Sequence, residues 1–348
     1  MAKIEEGMNR PRAEKLEPVT DEMWSQVNEF NRKIGEEFLN ESTHLSERTL
    51  TQYTSAVRIF FWWVHEQLDD KKIIDIKSKD YLKYQNWLQR RGLSESGIRF
   101  KRSVVSSLNG YIILYYEEEF PTFRNFITKQ IKINKTGFAY KKEPLTPDEY
   151  RMLCDELEKQ KEWQKLAYVK FTYSAGCRRE ESKQLLKEVA NYEPNIKIVK
   201  VKDDEGNVKE MKARTYKTNE IRCKGKGELG KPRKLQFSEE AMEAIQKWLG
   251  ERGEDDCPYM FVSKYRGEIK QISESTFNRW CSTLFAKIVG RRVHPHLFRE
   301  SRATNLVVHS GKDLETARKL LGHESSETTK IYVIREDNDD ADDAFVDL

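Results

Sequence analysis

Residues 294–332, HPHLFRESRATNLVVHSGKDLETARKLLGHESSETTKIY, concentrate the chemistry of the chain. Four of the six histidines lie here, with a His-x-x-Arg pair (His296 and Arg299), a Leu-Gly-His turn (Leu321, Gly322, His323) and Tyr332, nine residues beyond that histidine. On a helix, residues three apart share a face, so an imidazole and a guanidinium at 296 and 299 can hold one anion together. Arginine presents a planar fork matched to phosphate oxygens, and histidine exchanges a proton near neutral pH. Taken singly, each also fits an ordinary part: His296 as a satisfied structural histidine, Arg299 as a surface charge, Tyr332 as a half-buried aromatic. A lone His-x-x-Arg is a common pattern. The order and spacing of the whole set carry the reading.

That order resembles the C-terminal signature of the tyrosine recombinases (the phage integrase family), in which His-x-x-Arg is followed by Leu-Gly-His and then by a nucleophilic tyrosine. The resemblance implies an upstream arginine and a lysine. Ser174-Ala175-Gly176-Cys177-Arg178-Arg179-Glu180-Glu181 is similar to the first-arginine motif, usually Gly-Leu-Arg with Glu three residues on, here Arg178 and Glu181. The Gly-x-Arg turn also places Arg178 near a fresh helix N-terminus, where backbone amides favour an anion. Arg179 follows directly and stays open as the alternative. The family lysine sits in the turn between the second and third strands, typically in Gly-Lys-Gly with an arginine-containing strand after it. Lys224, in Cys223-Lys224-Gly225-Lys226, matches best, and Lys226 is the alternative. After Arg299, Arg302 stands where many relatives carry an aromatic before Ala-Thr, which changes local packing but not the spacing.

The rest of the composition fits a DNA-acting protein. At 348 residues the chain suits two modest domains. A mean hydropathy of -0.81 and 34% charged residues describe a very polar surface. No apolar run approaches a membrane span, and residues 1–18 carry neither a signal-peptide core nor a transit-peptide bias, so a cytoplasmic, nucleoid-associated protein is expected. Five scattered cysteines without Cys-x-x-Cys spacing indicate neither disulfides nor zinc. The last thirteen residues, EDNDDADDAFVDL, hold seven acids, and without them the formal net charge rises from +4 to +11. Such a balance suits displacement of counterions from DNA.

Five segments are expected. Residues 1–45 form an N-terminal extension, with a helix from Thr20 or Asp21 to about Leu39 packed on the adjoining domain. Residues 46–127 form an all-helical unit, with helices from Ser46, over 78–90, 94–116 and 121–127. It resembles the helical core-binding domain that precedes recombinase catalytic domains, down to the Gly-Leu-Ser turn at Gly92, Leu93 and Ser94. Arg90, Arg91, Lys101 and Arg102 make its basic, DNA-binding face. A basic linker comes next at 128–143, in which Lys141 and Lys142 can lie along a DNA backbone. The catalytic domain, 144–335, opens on a capping box at Thr146 to Glu149. It includes a hairpin around 203–207 and a further turn and strand to Phe237, then more helices. Residues 336–348 are an acidic tail. The fold class is therefore mainly α with a small antiparallel β-sheet in the C-terminal domain, in the two-domain tyrosine recombinase architecture.

The resemblance implies a site-specific recombinase or integrase of a mobile element. A phosphodiester needs anion stabilisation, a nucleophile and an acid for the departing oxygen. Arg178 and Arg299 then clamp the non-bridging oxygens, and Tyr332 attacks phosphorus to give a 3'-phosphotyrosyl link. His296 accepts or orients the tyrosine proton, Lys224 protonates the 5'-oxygen, His323 donates to the five-coordinate phosphate, and Glu181 orients its neighbours. Two arginines can replace a metal electrostatically, so neither metal nor other cofactor is expected. The implied partners are double-stranded DNA with paired half-sites and a homo-tetramer with a Holliday junction between two exchanges. The tail is expected to dock in trans through Phe345 and Val346. A chromosome-dimer-resolving recombinase, a type IB topoisomerase and a non-catalytic DNA-binding protein on this fold remain the alternatives.

Overall fold

The computed structural model describes residues 16–133, 143–202, 208–223, 230–323, 325–330 and 333. It divides into two compact units, Met1–Tyr140 and Lys141–Leu348. The first is helical: α1 (Asp21–Gln26), α2 (Glu29–Glu41), α3 (Glu47–Gln67), α4 (Ser78–Arg90) and α5 (Glu95–Tyr115). Ser46 accepts the Thr49 N–H at 3.4 Å, so the cap expected there starts its helix, and Ser94 likewise accepts the Gly97 N–H at 3.1 Å. Phe60, Phe61, Tyr84, Leu88, Val104 and Leu108 are fully buried at the centre. Each such side chain contributes roughly 1.5–3 kcal/mol through burial.

Three expectations in this unit change. The single helix expected to about Leu39 is two, because Asn28 caps a second start, accepting from the Asn31 N–H at 2.8 Å and donating to the Asp70 carbonyl at 2.7 Å. The helix expected at 121–127 does not form. Asn125 organises an irregular path there instead, accepting from Asn109 and from the Ile127 N–H at 2.9 Å each and donating to the Ser106 hydroxyl at 3.0 Å. Phe123 and Phe126 are buried by that path. Finally, residues 128–133, the start of the expected linker, pack on this unit: Ile131 is buried in its core, and the Arg102 guanidinium donates to the Thr128 and Ile131 carbonyls.

The second unit begins with α6 (Pro147–Lys159), α7 (Trp163–Ala175) and α8 (Arg179–Lys183). Strands β1 (Asn195–Lys202) and β2 (Val208–Lys217) pair antiparallel, with Asn195 opposite Thr215. Next come the hairpin of β3 (Ile221–Cys223) with β4 (Lys231–Arg233) and then β5 (Gln236–Ser238), which adds to β2 in the order β1-β2-β5. After these lie α9 (Glu239–Arg252), a hairpin of β6 (Val262–Tyr265) and β7 (Glu268–Gln271), α10 (Glu274–Trp280), a π turn, and α11 (Ala286–Val289). The chain closes with α12 (Pro295–Thr304), a second π turn, α13 (Leu314–Leu321) and α14 (Ser326–Lys330). Tyr168 packs face to face on Phe277 at 4.3 Å, with Phe261 and Phe298 edge-on around it. This aromatic core fixes α12 against α7 and α10. The other end of α12 is fastened by Ser301, which accepts the Leu145 N–H at 2.7 Å, and by Asn305, which donates to the Leu145 carbonyl at 3.1 Å.

Candidate active site

The site grows from one buried cation. Arg299 is 1% exposed on α12, and a cation taken out of water must be met by acceptors. Its Nη1 donates to the Gly176 carbonyl. Its Nη2 donates to the Leu321 carbonyl at 2.9 Å and lies 2.7 Å from Nε2 of His323. A single guanidinium thus grips the turn before Arg178 and the Leu-Gly-His turn. Both turns need glycine. Gly176 has φ +58°, and a Cβ there would stand 2.6 Å from Leu321. Gly322 has φ +66°, and its Cβ would fall 1.4 Å from Nη1 of Arg233. Arg233, at the end of β4, lies flat on that glycine and adds a second donation to the Leu321 carbonyl at 3.2 Å.

Arg178 sits at the start of α8. Its N–H donates to Glu181 Oε2 at 2.8 Å and its guanidinium to Oε1 at 2.9 Å, with Glu181 buried. The expected contribution of a helix N-terminus is thereby modified, because α8 has five residues and the Glu181 carboxylate already takes the Arg178 N–H. Arg179 turns elsewhere: its guanidinium pairs with Glu274 and donates to Asn278 at 2.9 Å, both on α10. Of the two adjacent arginines, Arg178 is the one whose charge reaches both site histidines. Arg302, in the place of an aromatic, spreads over the Tyr173 ring at 5.6 Å, so a cation–π contact stands in for ring packing.

Both histidines are held neutral. His296 falls from its ordinary value near 6.5 to about 4, first through burial, with the Glu300 carboxylate opposing and Arg299, His294 and Arg178 adding. His323 also falls to about 4, through burial and then Arg299, Arg178, Arg233 and His296. A base whose proton binds less tightly in the folded state lends stability that is complete above about pH 6.5 and lost as pH falls through about 4. Urea midpoints measured from pH 7.5 to 4 should therefore drop more steeply for the wild type than for a His296→Gln, His323→Gln double variant. Parallel profiles would reject that assignment. His294, by contrast, caps α12, its Nδ1 accepting the Leu297 N–H at 3.1 Å. The sequence reading also missed Arg233 as part of the site and Glu300, which is buried one turn after His296.

Lys224, its alternative Lys226, Tyr332, Lys141 and Lys142 lie outside the described residues. Their chain neighbours do not. Cys223, at the end of β3, is buried beside Glu181, and its thiol is pushed up to about 11 by burial and then by that carboxylate. Thr329, buried on α14, has its hydroxyl 2.9 Å from Nδ1 of His323. In the first unit, Arg90 is exposed, Arg91 lies over Trp87 at 5.1 Å, and Lys101 is half-buried with its ammonium proton loosened by that burial. Arg102, committed to two carbonyls, also lines a groove with Arg99, Ser103, Lys129 and Lys132. Among the described residues no three His, Cys, Asp or Glu side chains group to hold a metal ion, all five cysteines are free, and no helix is long and apolar enough to cross a membrane.

The family model described as "Phage integrase family" matches residues 143–339. The chain belongs to the phage integrase family. The SPbeta prophage-derived recombinase-like protein YomM of Bacillus subtilis (strain 168) is 36% identical over 348 residues, 99% of each chain. The Tn1549 transposon integrase, solved in complex with transposon right end DNA, shares the fold at 16% identity with a TM-score of 0.62, covering 91% of this chain and 98% of its own. A lambda integrase tetramer bound to a Holliday junction aligns at 16% identity and a TM-score of 0.58, over 92% and 83%. As a member of this family, the tyrosine recombinases, the chain is an enzyme of DNA strand breakage and rejoining, and its two-unit, mainly helical architecture with small antiparallel sheets is theirs.

Proposed function

We propose that this phage integrase family member is the integrase of a mobile element, cutting and rejoining DNA at paired half-sites through a 3'-phosphotyrosyl intermediate, with a Holliday junction between two rounds of exchange. The observation that carries this is the convergence of Arg178, Arg299, His296 and His323 around two glycine turns, where guanidiniums outnumber neighbouring carboxylates and two imidazoles stay neutral. Arg178 and Arg299 clamp the non-bridging oxygens. His296, neutral above about pH 4, is free to accept the Tyr332 proton, and Tyr332 attacks phosphorus. Lys224 protonates the departing 5'-oxygen, His323 donates to the phosphate as it becomes five-coordinate, and Glu181 keeps Arg178 in place. Because the bond energy is stored covalently, the 5'-hydroxyl of another strand reverses the attack. Full-length similarity to a prophage-derived protein supports the mobile-element role.

The DNA-facing residues of the first unit are Arg90, Arg91, Lys101 and Arg102, the last lining the basic groove, and Lys141 and Lys142 also bind the DNA backbone. Four protomers act together on DNA in the cytoplasm, with Phe345 and Val346 of each tail docking on a neighbour. A duplex nicked just beyond the cleavage position, taken from half-sites flanking the gene, tests the proposal: cleavage releases a short 5'-hydroxyl strand that diffuses away and traps the covalent adduct. No adduct on any flanking half-site would sink it.

The leaving-group acid is tested on the same duplex. Lys224→Ala should slow cleavage of normal DNA by roughly 10²- to 10⁴-fold, yet largely spare a substrate with sulfur at the 5'-bridging position, since a thiolate leaves without a proton. Equal defects on both substrates would move the acid to Lys226.

A further inference from the structure

His323 is addressed from both sides, and the two contacts fix where its proton is. Nε2 lies 2.7 Å from Nη2 of Arg299. A guanidinium has no lone pair to offer, so Nε2 is the acceptor and the proton of the neutral ring sits on Nδ1. Nδ1 lies 2.9 Å from the Thr329 hydroxyl, which must therefore accept. His323 is 5% exposed and Thr329 fully buried, so bulk water cannot stand in for either partner. Burial and the fields of Arg299, Arg178 and Arg233 keep the ring from simply becoming imidazolium.

This arrangement is the opposite of what phosphate chemistry requires. To donate to a phosphate oxygen, His323 needs its proton on Nε2, and Nδ1 then presents a lone pair that wants a donor. A carbonyl or carboxylate partner would block that exchange, since each only accepts. A hydroxyl both accepts and donates, and it can turn from one role to the other.

We propose that Thr329 is a positioning residue whose hydroxyl accepts from Nδ1–H of His323 before DNA binds and donates to Nδ1 afterwards, so that His323 changes tautomer when a phosphate draws the Arg299 N–H away. One proton leaves Nδ1 and one joins Nε2 by exchange with solvent, with no net change in charge. Thr329 is also three residues before Tyr332, on α14. The tautomer that serves the phosphate is thus available only while the segment leading to the nucleophile is seated against His323. This rests on the recombinase reading for its catalytic consequence, but not for the tautomer itself.

The test uses the full chain with ¹⁵N-labelled histidine, in the wild type, Thr329→Ser and Thr329→Val. Long-range ¹H–¹⁵N correlations without DNA should show His323 as the Nδ1–H tautomer in the wild type and in Thr329→Ser. Thr329→Val keeps the Arg299 contact that makes Nε2 the acceptor, so it should show the same tautomer without DNA. The change to Nε2–H that the wild type and Thr329→Ser show on binding a flanking half-site duplex should be lost in it, while the signals of His44 and His65 in the other unit stay in place. Single-turnover cleavage of the nicked duplex should fall about 10²-fold in Thr329→Val, as when a catalytic histidine loses the partner that sets its tautomer, and should stay within about threefold in Thr329→Ser, with DNA binding unchanged in both. An Nε2–H tautomer in the wild type overturns the proposal. So does a Thr329→Val variant that still changes tautomer on DNA and keeps its rate, or a Thr329→Ser variant as slow as Thr329→Val, which would make the residue a packing element. If the wild type cleaves no flanking duplex yet shows the Nδ1–H tautomer without DNA, the recombinase reading fails and the tautomer assignment stands.

Discussion

Replacing Tyr332 with phenylalanine is expected to abolish the covalent protein–DNA adduct while leaving DNA binding intact. The substitution removes one oxygen and keeps the ring, so whatever the ring packs against is preserved. The guanidiniums of Arg178 and Arg299, proposed to supply the attraction for phosphate, are untouched. The nearby thiols offer no replacement for the hydroxyl: Cys177 and Cys223 are pushed up to about 12 and about 11, mainly by burial. A protonated thiol is a poor nucleophile. The loss should be roughly 10³-fold or greater, the scale seen when a covalent nucleophile is removed. Denaturing gels of the nicked duplex report the adduct, and native gels report binding. A denaturation-resistant adduct in Tyr332→Phe would overturn the assignment of the nucleophile.

What could be read from the sequence was set by local chemistry. The caps at Ser46 and Thr146 involve residues three apart and appear where the pattern placed them. His296 and Arg299 share a helix face for the same reason. Where long-range contacts decide, the sequence is silent. The Gly-x-Arg spacing favours Arg178 over Arg179, but the contacts that turn Arg179 away, to Glu274 and Asn278, come from about a hundred positions downstream. Arg233 enters the site only because β4 folds onto Gly322.

Periodicity also promised more than packing delivered. The alternation in β1 marks a strand, yet Ile196 and Ile198 are 52% and 65% exposed, because β1 is the edge of its sheet. The β6–β7 hairpin escaped notice because its strands have four residues each. Its turn, Arg266-Gly267, carries positive φ at both positions, the signature of a tight two-residue hairpin loop.

Arg299 is where stability and chemistry depend on the same atoms, and its two substitutions should separate them. In Arg299→Ala the Gly176 and Leu321 carbonyls lose a buried donor and His323 loses its Nε2 partner. Each buried polar group left unpaired costs about 1–3 kcal/mol. Arg233 still donates to the Leu321 carbonyl, so the loss there is partial, and a total of about 3 kcal/mol is expected, read from urea unfolding. Arg299→Lys keeps a positive charge and three donors on a flexible stem but loses the planar fork that reaches two turns and a ring together. It should retain more of the stability than alanine. Cleavage should nevertheless fall roughly 10²-fold or more, because the fork aimed at developing negative charge is what accelerates the reaction. A further consequence distinguishes loss of the cation from general loosening. Arg299 is, after burial, the largest influence holding His323 down at about 4, so alanine should let the His323 value climb back toward 6.5 while lysine holds it low. Histidine titration by NMR in the two variants measures this directly. Equal His323 values in both, with unchanged urea midpoints, would mean that Arg299 is not the hub of the site.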